Sequence, residues 1–156
     1  MTARTVVRRK SGASAVKPTP LCTIGYAGKT LQNFIDLLRG AHVQRVVDVR
    51  ELPLSRRKGF SKTPLKEALT AAGIEYLHLR VAGNPFRAQK ADIDACLKLY
   101  AGYVDEHPEV VHEVEAAIAG AKSALLCFEE MTCECHRSIL VEHLLVSTPD
   151  RAIQHL

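Results

Sequence analysis

Residues 127–140 read CFEEMTCECHRSIL, and they hold Cys127, Cys133 and Cys135, the acids Glu129, Glu130 and Glu134, then His136 and Arg137. A thiolate, an imidazole and a guanidinium in one short stretch are the parts of nucleophilic chemistry on an anionic substrate. The thiolate attacks, the imidazole or a carboxylate moves a proton, and the guanidinium grips a phosphate or carboxylate with a two-pronged fork. The pattern predicts a strand ending near Cys127 and a loop of about six residues. Cys135, His136 and Arg137 then fall in the first turn of a helix, where unpaired N–H groups and the helix dipole favour negative charge and lower a nearby thiol pKa. Cys127 and Cys135 are thus the candidate nucleophiles, and Glu129, His136 and Asp48 the candidate acid–base groups. The same residues are open to a plainer reading, with both cysteines as small core side chains and Arg137 as a structural ion-pair partner.

Further anion handles lie upstream. Asp48 sits inside the apolar run VVDV, where a carboxylate is desolvated unless it is paired, and Arg50 and Arg137 are the nearest candidate partners. The segment 55–62, SRRKGFSK, holds four cations and one aromatic ring. Ser55 and Arg56 join Arg50 and Arg137 as anion-binding candidates, with Phe60 as a stacking surface or the anchor of a lid. A simply solvated loop fits those residues equally well. Gly25, Tyr26 and His155, at the ends of other expected strands, complete the ligand-lining set.

Several familiar patterns are absent. A cysteine-phosphatase or sulfurtransferase cradle needs its arginine at a fixed short distance after the cysteine, and Cys133 is too close to Arg137 while Cys127 is too far. Rhodanese-like domains share the flavour of VVDVRE and of a strand ending in cysteine before a helix, which leaves sulfur transfer at Cys127 as a second alternative. The run Cys133-Glu134-Cys135-His136 lacks a paired second motif, so no metal is expected. Gly25-Tyr26-Ala27-Gly28 is not the GxGxxG fingerprint, so neither NAD nor any other cofactor is expected.

The elements that must position these groups alternate regularly. Strands are expected at 21–25, 43–49, 74–79, 124–128 and 152–156. Between them, Thr30 caps a helix with the stripe Leu31, Phe34, Ile35, Leu38, and residues 64–72 form a second helix with Gly73 just past its end. Residues 91–120 give two helices broken at His107-Pro108, and His136 to Val146 gives the last. Strands separated by helices imply right-handed βαβ crossovers. The predicted fold is therefore a three-layer α/β domain with an open, mostly parallel five-stranded sheet, Rossmann-like or flavodoxin-like, and helices on both faces. Ligands bind such sheets outside the carboxyl ends of the strands, and the candidate residues gather on that rim.

The 156 residues carry a net charge of +4, but Arg4, Arg8, Arg9, Lys10 and Lys17 lie in the first 19 residues with no acid. A basic disordered tail, 1–19, preceding one domain, 20–156, is the expectation. The hydrophobic fraction of 47% and the shortness of the apolar runs suit a globular chain without a membrane span. Five cysteines with no export signal suggest reduced thiols in the cytoplasm. The expected partner is a phosphate-bearing small molecule or a nucleic acid, and oligomeric state is not readable.

The segments TIGYAGKTLQNFIDLL, VVDVRELPLSRRKGFSKTPLKEAL, AGIEYLHL and LLCFEE followed by CHRSIL resemble the domain-of-unknown-function 488 family across about residues 21–156. The resemblance marks Thr23, Gly25, Tyr26, Asp48, Arg50, Pro53, Ser55, Arg56, Phe60, Cys127, Glu129, Cys135, His136, Arg137 and His155. Tyr26 replaces the His-Ser of many members, and RVAGNPF stands where a leucine and paired glycines are common, which implies a different ligand preference. The resemblance implies a fold and a rim of functional residues, and no reaction. The leading expectation is an enzyme-like domain binding a phosphate or nucleotide. The alternative is a nucleic-acid-binding module using the tail and residues 55–62.

Overall fold

In a computed structural model that describes residues 17–89 and 91–156, five strands alternate with five α-helices. In chain order they are β1 Leu21–Gly25, α1 Leu31–Gly40, β2 Arg45–Asp48, α2 Lys62–Ala71, β3 Glu75–His78, α3 Ile93–Glu106, α4 Glu109–Ile118, β4 Ser123–Cys127, α5 Arg137–Ser147 and β5 Ile153–His155. The basic tail expected over 1–19 lies almost wholly outside the described residues. No helix among the described residues is long and apolar enough to cross a membrane.

Local chemistry sets the boundaries. The Thr30 hydroxyl accepts a hydrogen bond from the Asn33 amide at 3.1 Å and starts α1. Helix α2 begins two residues before Pro64, which is tolerated because a first-turn N–H has no partner inside the helix. It stops where Gly73 takes φ +75°, a conformation costly for any residue with a Cβ.

The sheet is open and wholly parallel, in the order β3-β2-β4-β1-β5. The alternation of strands and helices could not specify that order, which puts β4 in the middle. β4 is buried on both faces: Ala124 and Leu126 pack with Phe34, Leu38, Leu65 and Leu69 of α1 and α2. Leu125 packs on the other side with Tyr100, Val104, Val114, Leu140 and Leu144 of α3, α4 and α5. This is the period of two that gives a parallel strand its continuous apolar run.

The order also fixes where a ligand can sit. The steps β1 to β2 and β2 to β3 run one way across the sheet, and β3 to β4 and β4 to β5 run the other. Right-handed crossovers therefore put α1 and α2 on one face and α3, α4 and α5 on the other, as the two core clusters show. The chain consequently leaves β4 toward the face opposite that used by both its neighbours. A switch crevice opens on each side of the end of β4, at Cys127.

Candidate functional site

Cys127 is in register with Gly25 of β1, and Leu126 with Asp48 of β2. Beyond Cys127 the chain folds back over the end of β1, with the Tyr26 amide donating to the Cys127 carbonyl and the Ala27 amide to the Phe128 carbonyl at 2.9 Å. A Cβ at Gly25 would lie 1.8 Å from the Glu129 carbonyl oxygen, so only glycine lets this loop cross. A 3₁₀ turn, Thr132–Glu134, follows, then Cys135 in an extended conformation, and α5 begins at Arg137. Cys135 and His136 thus precede the helix, and Arg137 alone of the three lies in its first turn. The 3₁₀ turn lies in the expected loop, and the helix starts at Arg137, so Cys135 and His136 stand just ahead of the first turn in which they were expected.

The crossing loop gathers a sulfur-rich cluster. The Cys127 thiol donates to Glu129 Oε2 at 3.1 Å, and the Nδ1 atom of His136 lies 3.8 Å from Cys127 Sγ and 3.6 Å from Cys135 Sγ. His136 Nε2 is 2.9 Å from the Val49 carbonyl. A carbonyl can only accept, so Nε2 carries the proton, and in the neutral ring the Nδ1 lone pair faces both sulfurs. Arg137 is fully buried. Its Nε donates to Cys135 Sγ at 3.3 Å, a terminal N–H donates to the Glu129 carbonyl, and Nη1 has no hydrogen-bond partner among the described residues.

These contacts split the two thiols. Burial works against ionisation of Cys135, but a hydrogen bond from Cys127 and the charges of His136 and Arg137 bring its pKa well below the ordinary thiol value. Cys127 goes the other way: its hydrogen bond to Cys135, its burial and the neighbouring negative charges hold its proton on. Burial also opposes charge on His136, yet the Cys135 thiolate and the Val49 carbonyl raise its pKa. The donor atoms of Cys127, Cys135 and His136 all lie within 4.8 Å of one another, the one such cluster of metal-binding groups among the described residues. Cys133 of the same run is exposed and takes no part.

The second charged cluster, at the end of β2, is closed. Asp48 is fully buried and accepts from Arg50 Nε at 2.8 Å, Arg50 Nη2 at 2.6 Å, the Arg50 amide at 3.1 Å and the Tyr76 hydroxyl at 2.6 Å. Those four bonds occupy the carboxylate, and Asp48 does not line the cavity described below. Arg50 also donates to the Phe60 carbonyl at 2.7 Å and lies 5.2 Å above the Tyr26 ring. Phe60 is 1% exposed, stacked on Tyr26 at 4.5 Å and edge-on to Phe34. Its ring belongs to the core, out of a ligand's reach.

A cavity of about 700 Å³ opens above the sulfur cluster. Cys127, Cys135 and His136 form its floor, with Tyr26, Arg50, Ser55, Arg56 and Glu129 also on its wall. The structure therefore brings most of the expected rim together. Gly25 lies beneath the crossing loop, Arg137 behind the floor, and His155 is bonded to the Thr23 and Thr132 hydroxyls at 2.6 and 3.1 Å, away from the cavity. Sequence reasoning missed Arg57 and Arg87 as wall residues, and the apolar side made by Leu52, Leu54, Ile93, Leu97 and Phe128. Arg57 is tied to the Lys29 carbonyl and Arg87 to Glu51 at 3.0 Å. Arg57 stood in the quoted basic run. Arg87 carried no signal, since its short 3₁₀ turn has no periodicity.

No curated protein and no solved structure matches the chain. A family profile described as a domain of unknown function, DUF488, matches residues 30–144. The match runs from the cap of α1 through most of α5 and covers Asp48, Arg50, Ser55, Arg56, Phe60 and the Cys127–Arg137 cluster, while Thr23, Gly25, Tyr26 and His155 fall outside it. With that span matched, the chain belongs to the domain-of-unknown-function 488 family.

Proposed function

We propose that the chain is an enzyme of small anionic molecules, holding a phosphate-bearing substrate such as a nucleotide in the cavity above β4 and presenting it to the Cys127–Cys135–His136 floor. The observation that carries this reading is the meeting, in one cavity, of three arginines outside the closed Asp48–Arg50 pair (Arg56, Arg57 and Arg87) with buried thiols and an imidazole. A volume of about 700 Å³ is of small-molecule size. The arginines give forks for phosphate oxygens, and Leu54 and Phe128, both exposed, offer an apolar surface to a base or sugar ring. Glu129, next to the Cys127 thiol, is placed to take up or return a proton.

A nucleic-acid backbone is a second reading, favoured by the exposure of Arg56 and Arg57 on the cavity wall and of the neighbouring Lys58. It predicts a steep loss of affinity with salt, which a small-molecule pocket lacks. Sulfur transfer at Cys127 is the less favoured alternative, because the thiol there keeps its proton.

Thermal unfolding with pyrophosphate, AMP, ADP and a sugar phosphate tests the leading reading. A ligand at about 100 times its Kd adds about 2.7 kcal/mol, which raises Tm by roughly 5–11 °C for a chain of this size. The double variant Arg56→Ala/Arg57→Ala is expected to keep the unliganded Tm and lose most of that rise. If no anion raises Tm, or the double variant responds like the parent, the reading is wrong.

A further inference from the structure

We propose that Cys127, Cys135 and His136 bind one divalent transition-metal ion of the zinc class, with its fourth position open to the cavity. The inference deepens the reading above by naming a cofactor for the same floor, and it rests on that reading only for what the ion would do. Binding itself rests on the cluster.

Distances come first. An ion with metal–sulfur bonds of about 2.3 Å and a metal–nitrogen bond of about 2.0–2.1 Å in tetrahedral geometry sets sulfur and nitrogen about 3.5–3.6 Å apart. The His136 Nδ1 atom lies 3.6 Å from one sulfur and 3.8 Å from the other. Both nitrogen–sulfur distances are thus close to those an ion would set, and all three donor atoms lie within 4.8 Å of one another.

Orientation comes second. A ligating histidine offers one nitrogen to the metal and donates the other N–H to a carbonyl or carboxylate, which fixes ring and tautomer. His136 does this, with Nε2 on the Val49 carbonyl and Nδ1 turned to the sulfurs. Arg137, whose Nε bonds Cys135 Sγ, supports the sulfur from behind.

Charge comes third. A cysteine binds such an ion as the thiolate. A divalent ion takes the place of the protons the two sulfurs carry, so binding leaves two metal-bound thiolates and releases protons to solvent. Two thiolates, a neutral imidazole and a divalent ion sum to zero. Two sulfurs and a nitrogen select zinc-like ions over magnesium or calcium, which prefer oxygen. Three protein ligands with a free position facing a cavity are the pattern of a catalytic rather than a structural ion, able to polarise a substrate oxygen or activate water.

The test is titration of the reduced, chelator-treated chain with Co²⁺ and then Zn²⁺. The expected result is one Co²⁺ per chain, with intense visible bands of a tetrahedral ion and a near-ultraviolet thiolate-to-cobalt band, all removed by Zn²⁺. Cys127→Ser, Cys135→Ser and His136→Gln should each weaken binding by at least ten- to one hundredfold, the cost of losing even a supporting contact. Cys133→Ser should leave the spectrum unchanged. A weak octahedral spectrum, the absence of a thiolate band, or equal loss in Cys133→Ser would overturn the site. The parent spectrum decides the matter even where a variant does not fold. Anion binding by the chelator-treated chain is measured in parallel: anion binding without metal binding defeats only this inference, and metal binding without anion binding defeats only the proposed function.

Discussion

Two buried guanidiniums lie at the carboxyl end of the sheet, one after β2 and one after β4, and they are neutralised in different ways. Arg50 meets Asp48 in a two-pronged pair at 2.6 and 2.8 Å, and that carboxylate is completed by Tyr76. Arg137 meets a sulfur and a carbonyl and keeps one nitrogen unpartnered among the described residues. The first cluster closes on itself, so it is structural. The second sets the guanidinium beside a thiol whose pKa it helps to lower, and Cys127, Cys135 and His136 of that cluster form the floor of the cavity. A buried polar group whose bonding capacity is spent holds a fold together; one with capacity left is available for chemistry.

The contrast can be broken by substitution. Asp48→Asn leaves Arg50 buried without a counter-charge and should cost about 3–5 kcal/mol in urea unfolding. A cost below about 1 kcal/mol would show that the pair is not closed as described. Tyr76→Phe removes one hydrogen bond to the same carboxylate and should cost about 1.5–3 kcal/mol. Arg137→Met should change stability by only about 1 kcal/mol, since an apolar side chain of similar volume replaces an incompletely paired charge and Cys135 recovers its proton cheaply. Its signature should be functional, a ten- to one hundredfold loss of Co²⁺ affinity. A cost matching that of Asp48→Asn would make the two clusters equivalent.

The smallest effect belongs to a surface pair that serves as reference. His143 donates to Asp105 at 2.9 Å and to the Ile139 carbonyl at 2.8 Å. Its modest burial opposes charge, but the Asp105 carboxylate and the carbonyl raise its pKa. A raised histidine pKa stabilises the fold below the unfolded-state value near 6.5, and the benefit fades as pH rises through the folded-state value. His143→Gln should therefore cost less than about 1 kcal/mol at pH 5.5 and nothing at pH 9. A constant difference across that range would remove charge from the explanation.

The architecture was legible because its signals are periodic: β-branched runs for strands, a stripe of Leu31, Phe34, Ile35 and Leu38 for α1, glycine after α2. Asp48 inside VVDV announced that it needed a partner, and Arg50 was one of the two named. What escaped depends on contacts between segments distant in sequence. Nothing local says that β4 inserts between β2 and β1, yet that order creates the crevice. Phe60 looked like a lid because its neighbours are basic, while Tyr26 and Phe34 draw it into the core. The CECH run was read as four consecutive residues, and the cluster takes Cys127 from the end of a strand in place of Cys133.

The most direct measurement is an amide chemical-shift titration of the chain with pyrophosphate. The account predicts saturable shifts at Tyr26, Arg56, Cys127 to Glu129 and His136, which surround one cavity, and none at His143 or Asp105. Shifts confined to residues 55–62 that vanish with moderate salt, or no shifts at all, would contradict it.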